Sequence, residues 1–194
     1  MASSSSEKKE KTIAIYHGTL TELYNLEFAI SAISKITDKL VDFEFHIYGD
    51  GTQYDHLISV TSKLSLNSIV FFHGKVDYKL IPSILSNADL GILPIRKDVM
   101  TDLSFSNKLG EYVHYNIPVL STNLAGMMEY FPPDSAFYYK NNDENDFNEK
   151  LLGILSDREN SIKVAHRASE LYKEINWDVM RSRLIKMYQI LIPL

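Results

Sequence analysis

IVFFHGKVDYKLIPSILSNADLGILP, residues 69–94, sets two strand signals on either side of one helix signal. Ile69 to Phe72 is β-branched and aromatic, and Asp89 to Pro94 is almost wholly apolar. Between them Leu80, Ile81, Ile84 and Leu85 recur at helical spacing. Pro82 falls in the first turn of that helix, where its missing N–H breaks no intrahelical bond. A strand, a helix and a second strand in this order are joined most simply as a parallel pair through a right-handed crossover.

The alternation continues in both directions. Thr12 to Tyr16, Phe43 to Tyr48, Pro118 to Ser121 and Ala136 to Tyr139 also read as strands, and most are apolar along their whole length. Strands of that kind are covered on both faces, so the expected fold is α/β, a doubly wound parallel sheet of about six strands, Rossmann-like. Leu26, Ala29, Ile30 and Ile33 mark the first helix; Leu57, Val60 and Leu64 mark the second, behind a Thr52 cap. Asp146 to Leu155, Arg158 to Ile175 and Trp177 to Leu191 are the last three, the final one capped by Asn176 and stopped before Pro193. The run DEND, residues 143–146, leads into a capped helix.

Composition narrows the function. A chain of 194 residues that is 45% hydrophobic supports one well-buried domain. Its 20 basic and 25 acidic residues give a net charge of -5, which argues against a broad nucleic-acid footprint and leaves room for a local phosphate pocket. The absence of cysteine excludes disulfides and thiolate metal sites and fits a reducing, cytoplasmic setting. No apolar run approaches the roughly 20 residues of a transmembrane segment. Residues 1–11, MASSSSEKKEK, lack the apolar core of a secretion signal and read as a disordered leader or appended remnant, leaving 12–194 as the domain.

Ligands of such folds sit beyond the carboxyl edge of the sheet. Four loops are expected to converge there: Tyr16-His17-Gly18-Thr19, Gly49-Asp50-Gly51, His73-Gly74-Lys75-Val76 and the segment from Phe105 to Glu111. In the last, Asn107, Lys108 and Glu111 crowd the first turn of a helix, whose free amides and positive dipole end make an anion site. A lysine there opposes the dipole, and Lys108 before Glu111 runs in the less favourable order for a pair, so stability alone does not recommend the arrangement. Gly49-Asp50-Gly51 lacks the third glycine of a dinucleotide fingerprint. The six histidines show no metal-ligand spacing, so no metal is expected. His46 reads as a packed core histidine, while His17 and His73 sit at strand ends within reach of a substrate.

In order and content these pieces resemble the carboxy-terminal, nucleotide-sugar-binding domain of family-4 retaining glycosyltransferases of GT-B architecture, in the branch reading K-L-x-E-Y. The likeness rests on residues 47–57, IYGDGTQYDHL, on 69–94, on 107–122, NKLGEYVHYNIPVLST, and on Met128-Glu129-Tyr130. The resemblance implies a nucleoside-diphosphate sugar as donor, with no other cofactor and no metal. It implies that Glu111 holds the ribose hydroxyls. Ser106, Asn107, Lys108 and Leu109 would cradle the diphosphate, His73, Gly74 and Val76 would line the base, and Gly18 and Thr19 would face the distal phosphate or sugar. Three positions depart from the family pattern. Leu103 stands where the first of two glutamates is usual, with Asp102 beside it, and Thr19 and Tyr24 replace an arginine and a lysine that neutralise the diphosphate. Lys108, or else Arg96 or Lys97, is then left to supply charge. The resemblance also implies an amino-terminal GT-B domain, in cis or in trans, that carries the acceptor site. This chain would then be half an enzyme that transfers sugar to a glycan or lipid-linked acceptor with retention, in a polysaccharide-type pathway and peripheral to a membrane at most. A non-catalytic binding or assembly subunit and half of a nucleotide-sugar epimerase are the alternatives.

Overall fold

β1 (Thr12–His17), β2 (Phe43–Tyr48), β3 (Val70–Gly74), β4 (Leu90–Leu93), β5 (Val119–Thr122) and β6 (Phe137–Tyr139) form one sheet in which every pairing is parallel. The computed structural model describes residues 11–192; the expected leader, apart from Lys11, and the Pro193 stop lie outside them. Strand order is β3-β2-β1-β4-β5-β6. The chain therefore builds outward from β1 on one side, then returns to start β4 on the other. Ala14 pairs with Leu90 and Ile15 with Gly91 across that reversal. The two loops leaving β1 and β4 diverge there and open a crevice at the carboxyl edge.

The connections are α1 (Leu26–Ser34), α2 (Tyr54–Lys63), α3 (Ile81–Leu85), α4 (Val99–Asp102), α5 (Asn107–His114), α6 (Ala125–Met128) and α7 (Glu144–Ser156), followed by α8 (Arg158–Lys173) and α9 (Trp177–Leu191). α1 lies against α2 and α7, and α5 against α8. Ala14, Ile15, Tyr16, Phe45, Ile47, Leu90, Ile92 and Leu120 are buried at the centre. Each large apolar side chain buried this way stabilises the fold by about 1.5–3 kcal/mol. Polar ties fix the layers: Asp89 accepts from the Ile13 amide at 2.8 Å and meets Arg158 at 3.1 Å, while Asn148 Nδ2 donates to the Ala32 carbonyl at 2.8 Å.

Three local expectations are corrected. His46 is half-buried rather than part of the core: β2 alternates between buried Phe43, Phe45 and Ile47 and half-buried Glu44, His46 and Tyr48, so one face of this strand is left partly open. The His46 ring lies between Glu44, 3.0 Å from Nε2, and His73, 2.8 Å from Nδ1. The second helix is not capped by Thr52; Gln53 takes that place without a side-chain bond, its amide donating to the Leu20 carbonyl at 3.0 Å. Glu144 rather than Asp146 opens α7, with Asp143 as the cap that accepts from the Asp146 amide. Asn176 caps α9 as expected, yet α9 buries none of its residues.

Candidate functional site

The carboxyl edge is rigid because the hydrogen-bond ladder continues past the strands into the loops. Gly18 N donates to the Tyr48 carbonyl at 2.9 Å, Gly49 N to the Gly74 carbonyl at 2.8 Å and Leu20 N to the Asp50 carbonyl at 2.9 Å. Such close stacking of loops needs glycine. Gly49 has φ +143°, and a Cβ on it would fall 1.8 Å from the Gly18 oxygen. Gly18 has φ +129°, and a Cβ there would fall 2.3 Å from Cε of Lys108. The lysine stem thus crosses directly over Gly18.

Across the crevice stands α5. Ser106 is its N-cap without a side-chain bond, so no side chain occupies the first-turn amides. Lys108 and Glu111 line one groove of about 510 Å³ together with His17, Gly18, Thr19 and Asn107; Tyr78, Ile81, Pro82, Leu85 and Tyr115 form its apolar part. A second hollow of about 520 Å³ adjoins it through His17, Gly18 and Thr19 and runs along Tyr48, Asp50, Lys75 and Val76. The two form a continuous trough large enough for a small-molecule ligand. A smaller hollow of about 180 Å³ opens at the opposite edge of the sheet, where Asp89 and Arg158 already satisfy each other.

Within the trough, His17 is the one strongly buried imidazole, 7% exposed. Tyr112 fixes it: the rings meet edge to face at 5.2 Å, and the Tyr112 oxygen accepts from the His17 amide at 3.3 Å. Its Nε2 lies 3.0 Å from Oε2 of Glu111, but the angle falls outside hydrogen-bond range, so Nε2 remains without an aligned acceptor. A buried polar atom in this state is one that a ligand oxygen would satisfy. Burial pushes the phenols of Tyr16 and Tyr112 well above their ordinary range, so both stay neutral.

Lys108 has its ammonium 3.8 Å from the centroid of the Tyr24 ring and 5.6 Å from that of Tyr16. Both distances are within cation–π range. Lys97, the alternative cation, is engaged elsewhere, 2.9 Å from Asp102 and 2.9 Å from the Asn123 carbonyl. Asp102 in turn accepts from the Ala125 amide at 2.8 Å; that bond, and then Lys97, hold its carboxyl below the usual range. Arg96 lines a separate hollow with Glu22 and His56.

The structure therefore brings together Gly18, Thr19, Val76, Asn107, Lys108 and Glu111 along the trough. Ser106 lies at its rim, in a hollow shared with Asn107 and Lys108. Leu109 is fully buried and can present only backbone. Gly74 contributes its carbonyl to the loop ladder, and His73 stacks behind Tyr48 at 4.2 Å without lining the trough itself. Sequence reasoning overlooked Tyr48, Tyr78 and Ile81 as walls, and Tyr24 as the seat of Lys108. A tyrosine standing where the resembled family carries a cation was the available signal for the last.

The comparisons with known proteins agree with this architecture. An uncharacterized glycosyltransferase of Methanocaldococcus jannaschii, MJ1178, is 23% identical over 93% of this chain, which spans 54% of that protein. Among solved structures, the C-terminal domain of the glycosyl transferase group 1 family protein LpcC from Francisella tularensis superposes with TM-score 0.71 at 19% identity, covering 84% of each chain. Anabaena HepE in complex with UDP superposes with TM-score 0.79 at 15% identity, over 93% of this chain and 49% of that one. The chain thus spans about half the length of the curated relative and of the UDP complex. Residues 2–171 match the family described as glycosyl transferases group 1, and with the fold of a GT-B carboxy-terminal domain the chain belongs to that family.

Proposed function

We propose that this chain is the donor-binding half of a retaining glycosyltransferase that transfers a sugar from a nucleoside diphosphate to a glycan or lipid-linked acceptor. The observation that carries the reading is Lys108 and Glu111, one turn apart on α5, lining the same groove as Gly18, whose missing Cβ leaves room for the lysine stem at the reversal of strand order. In this reading the α5 amides and the Lys108 ammonium stabilise the diphosphate, first as ligand and then as leaving group, so the charge is met without a divalent ion. Glu111 accepts from ribose hydroxyls, and the Nε2 of His17 beside it donates to one of the same oxygens. Tyr48, Val76 and Tyr78 wall the base. HepE, a neighbour of the same fold, is solved in complex with UDP, which makes UDP the first probe.

Transfer requires a second wall that excludes water from the anomeric carbon. In this reading an amino-terminal GT-B half, in cis or in trans, supplies it and the acceptor site. α9 favours such a partner: Trp177, Leu184, Tyr188 and Leu191 share one side and are all at least half exposed on a helix with nothing buried. Unpartnered apolar stripes of this kind mark docking faces.

Titration of UDP, GDP and ADP by calorimetry or NMR tests the donor site. Lys108→Ala and Glu111→Ala should each weaken the preferred diphosphate by about 10–100-fold, the worth of a charge-assisted hydrogen bond. EDTA should leave the affinity unchanged. Equal affinity in wild type and both variants would refute the assignment.

A further inference from the structure

We propose that Tyr24 is a positioning residue whose ring holds the Lys108 ammonium at the diphosphate end of the groove. The inference rests on the nucleotide-site reading above and adds how the cation is kept in place. A lysine side chain has four rotatable bonds, and leaving it to order on binding subtracts from affinity. Proteins often fix such a chain with a carboxylate, which also cancels its charge. Here no carboxylate of the described residues lies within 4 Å of Nζ: the i,i+3 neighbour Glu111 is turned to His17 instead. An aromatic face attracts the ammonium through its quadrupole and leaves the formal charge intact for an anion.

Three elements meet on this one side chain. The stem passes over Gly18, in the space that any Cβ would take. The Tyr24 ring covers the ammonium at 3.8 Å and is itself packed on the Tyr16 ring, 5.8 Å between centroids. Tyr16 is fully buried, and its hydroxyl donates to the Thr19 carbonyl at 2.8 Å, which holds the loop between them. Tyr24 belongs to the short 3-10 turn Glu22–Tyr24, and its amide donates to the Thr21 carbonyl at 3.1 Å. The seat is thus built entirely from side chains of this chain, and on this proposal an anion meets a cation that these contacts orient.

The test compares ligands that differ only in phosphate charge. Affinities of the preferred diphosphate among UDP, GDP and ADP, of its monophosphate and of its nucleoside are measured for the full chain, for Tyr24→Phe and for Tyr24→Leu. Tyr24→Leu should weaken the diphosphate about three- to tenfold, the monophosphate less and the nucleoside not at all, and Tyr24→Phe should stay within about twofold of wild type. In a Lys108→Met background, Tyr24→Leu should add nothing. Equal loss for all three ligands, or none for any, overturns the proposal while the nucleotide site stands. Failure of all three diphosphates to bind wild type overturns both. Should Tyr24→Leu not fold, the NMR shifts of the Lys108 Hε protons in wild type decide: ring current from Tyr24 moves them upfield of the other lysines, and ordinary shifts refute the seat.

Discussion

Gly18 and Gly49 both have positive φ and both end strands at the same edge, yet alanine should affect them differently. At either position the backbone strain of an L-residue is on the order of 1–3 kcal/mol. At Gly18 the new Cβ meets the far end of a lysine, 2.3 Å from Cε and 3.0 Å from Nζ, which can swing aside. At Gly49 it meets backbone, 1.8 Å from the Gly18 oxygen and 2.9 Å from its carbonyl carbon. That carbonyl cannot retreat, because the Gly18 and Leu20 amides bond to Tyr48 and Asp50 on either side. Relief requires breaking those two bonds, at about 1 kcal/mol each, so Gly49→Ala should be about 2 kcal/mol more destabilising than Gly18→Ala. For a chain of this size the gap is about 4–8 °C in Tm, measurable by circular dichroism. Binding should invert the order. Gly18→Ala removes Lys108 from its seat and should weaken the nucleoside diphosphate about tenfold or more at temperatures where it is folded. Equal stability losses, or unchanged affinity in Gly18→Ala, would refute the account of how the three loops and the lysine share space.

Three further outcomes are expected. Glu111→Gln should weaken the diphosphate about tenfold, and a ligand lacking the ribose hydroxyl read by Glu111 and His17 should show the same deficit in wild type and no further loss in Glu111→Gln or His17→Phe, a cycle readable by calorimetry. Asp98 caps α4 by accepting from the Thr101 and Met100 amides, and its carboxyl, like that of Asp102, lies below the usual range because of such bonds. Lowered folded values mean stability that is complete above the unfolded value of about pH 4 and lost as pH falls through the folded values, so the double variant Asp98→Asn and Asp102→Asn should flatten the urea midpoint specifically below about pH 4. On α9, Leu184→Ser and Tyr188→Ser should each change stability by no more than about 0.5 kcal/mol, because both side chains are at least half exposed, while the pair weakens association with an amino-terminal GT-B half supplied in trans, as seen by sedimentation.

What could be read from the sequence was what depends on near neighbours. Strands such as Leu90–Leu93 are apolar throughout because both faces are covered, and they announce themselves whatever the strand order. The start of α5 is equally local: Asn107, Lys108 and Glu111 share one turn wherever the helix lies. Contacts between distant segments were not legible. Alternation along β2 puts His46 opposite Phe45 and Ile47, but whether that second face is covered depends on elements that pack there from elsewhere in the chain. Thr52 is chemically a good cap, yet the loop after β1 supplies the Leu20 carbonyl to Gln53 and so fixes the backbone in another geometry. The Asn176 cap marked where α9 begins without saying what lies against it.

Tyr24 carries the same lesson into the site. Read one position at a time, a tyrosine in place of a basic residue is a lost charge, and with Thr19 the phosphate end looks depleted. In space the two requirements of that end are separate. On the proposed reading, charge comes from α5, through Lys108, and orientation from the loop after β1, through the Tyr24 face. A lysine at position 24 would meet the Lys108 ammonium at close range, and two like charges in a partly buried groove repel by several times their energy in water. The aromatic residue is therefore the complement that Lys108 requires, and the two should exchange only together.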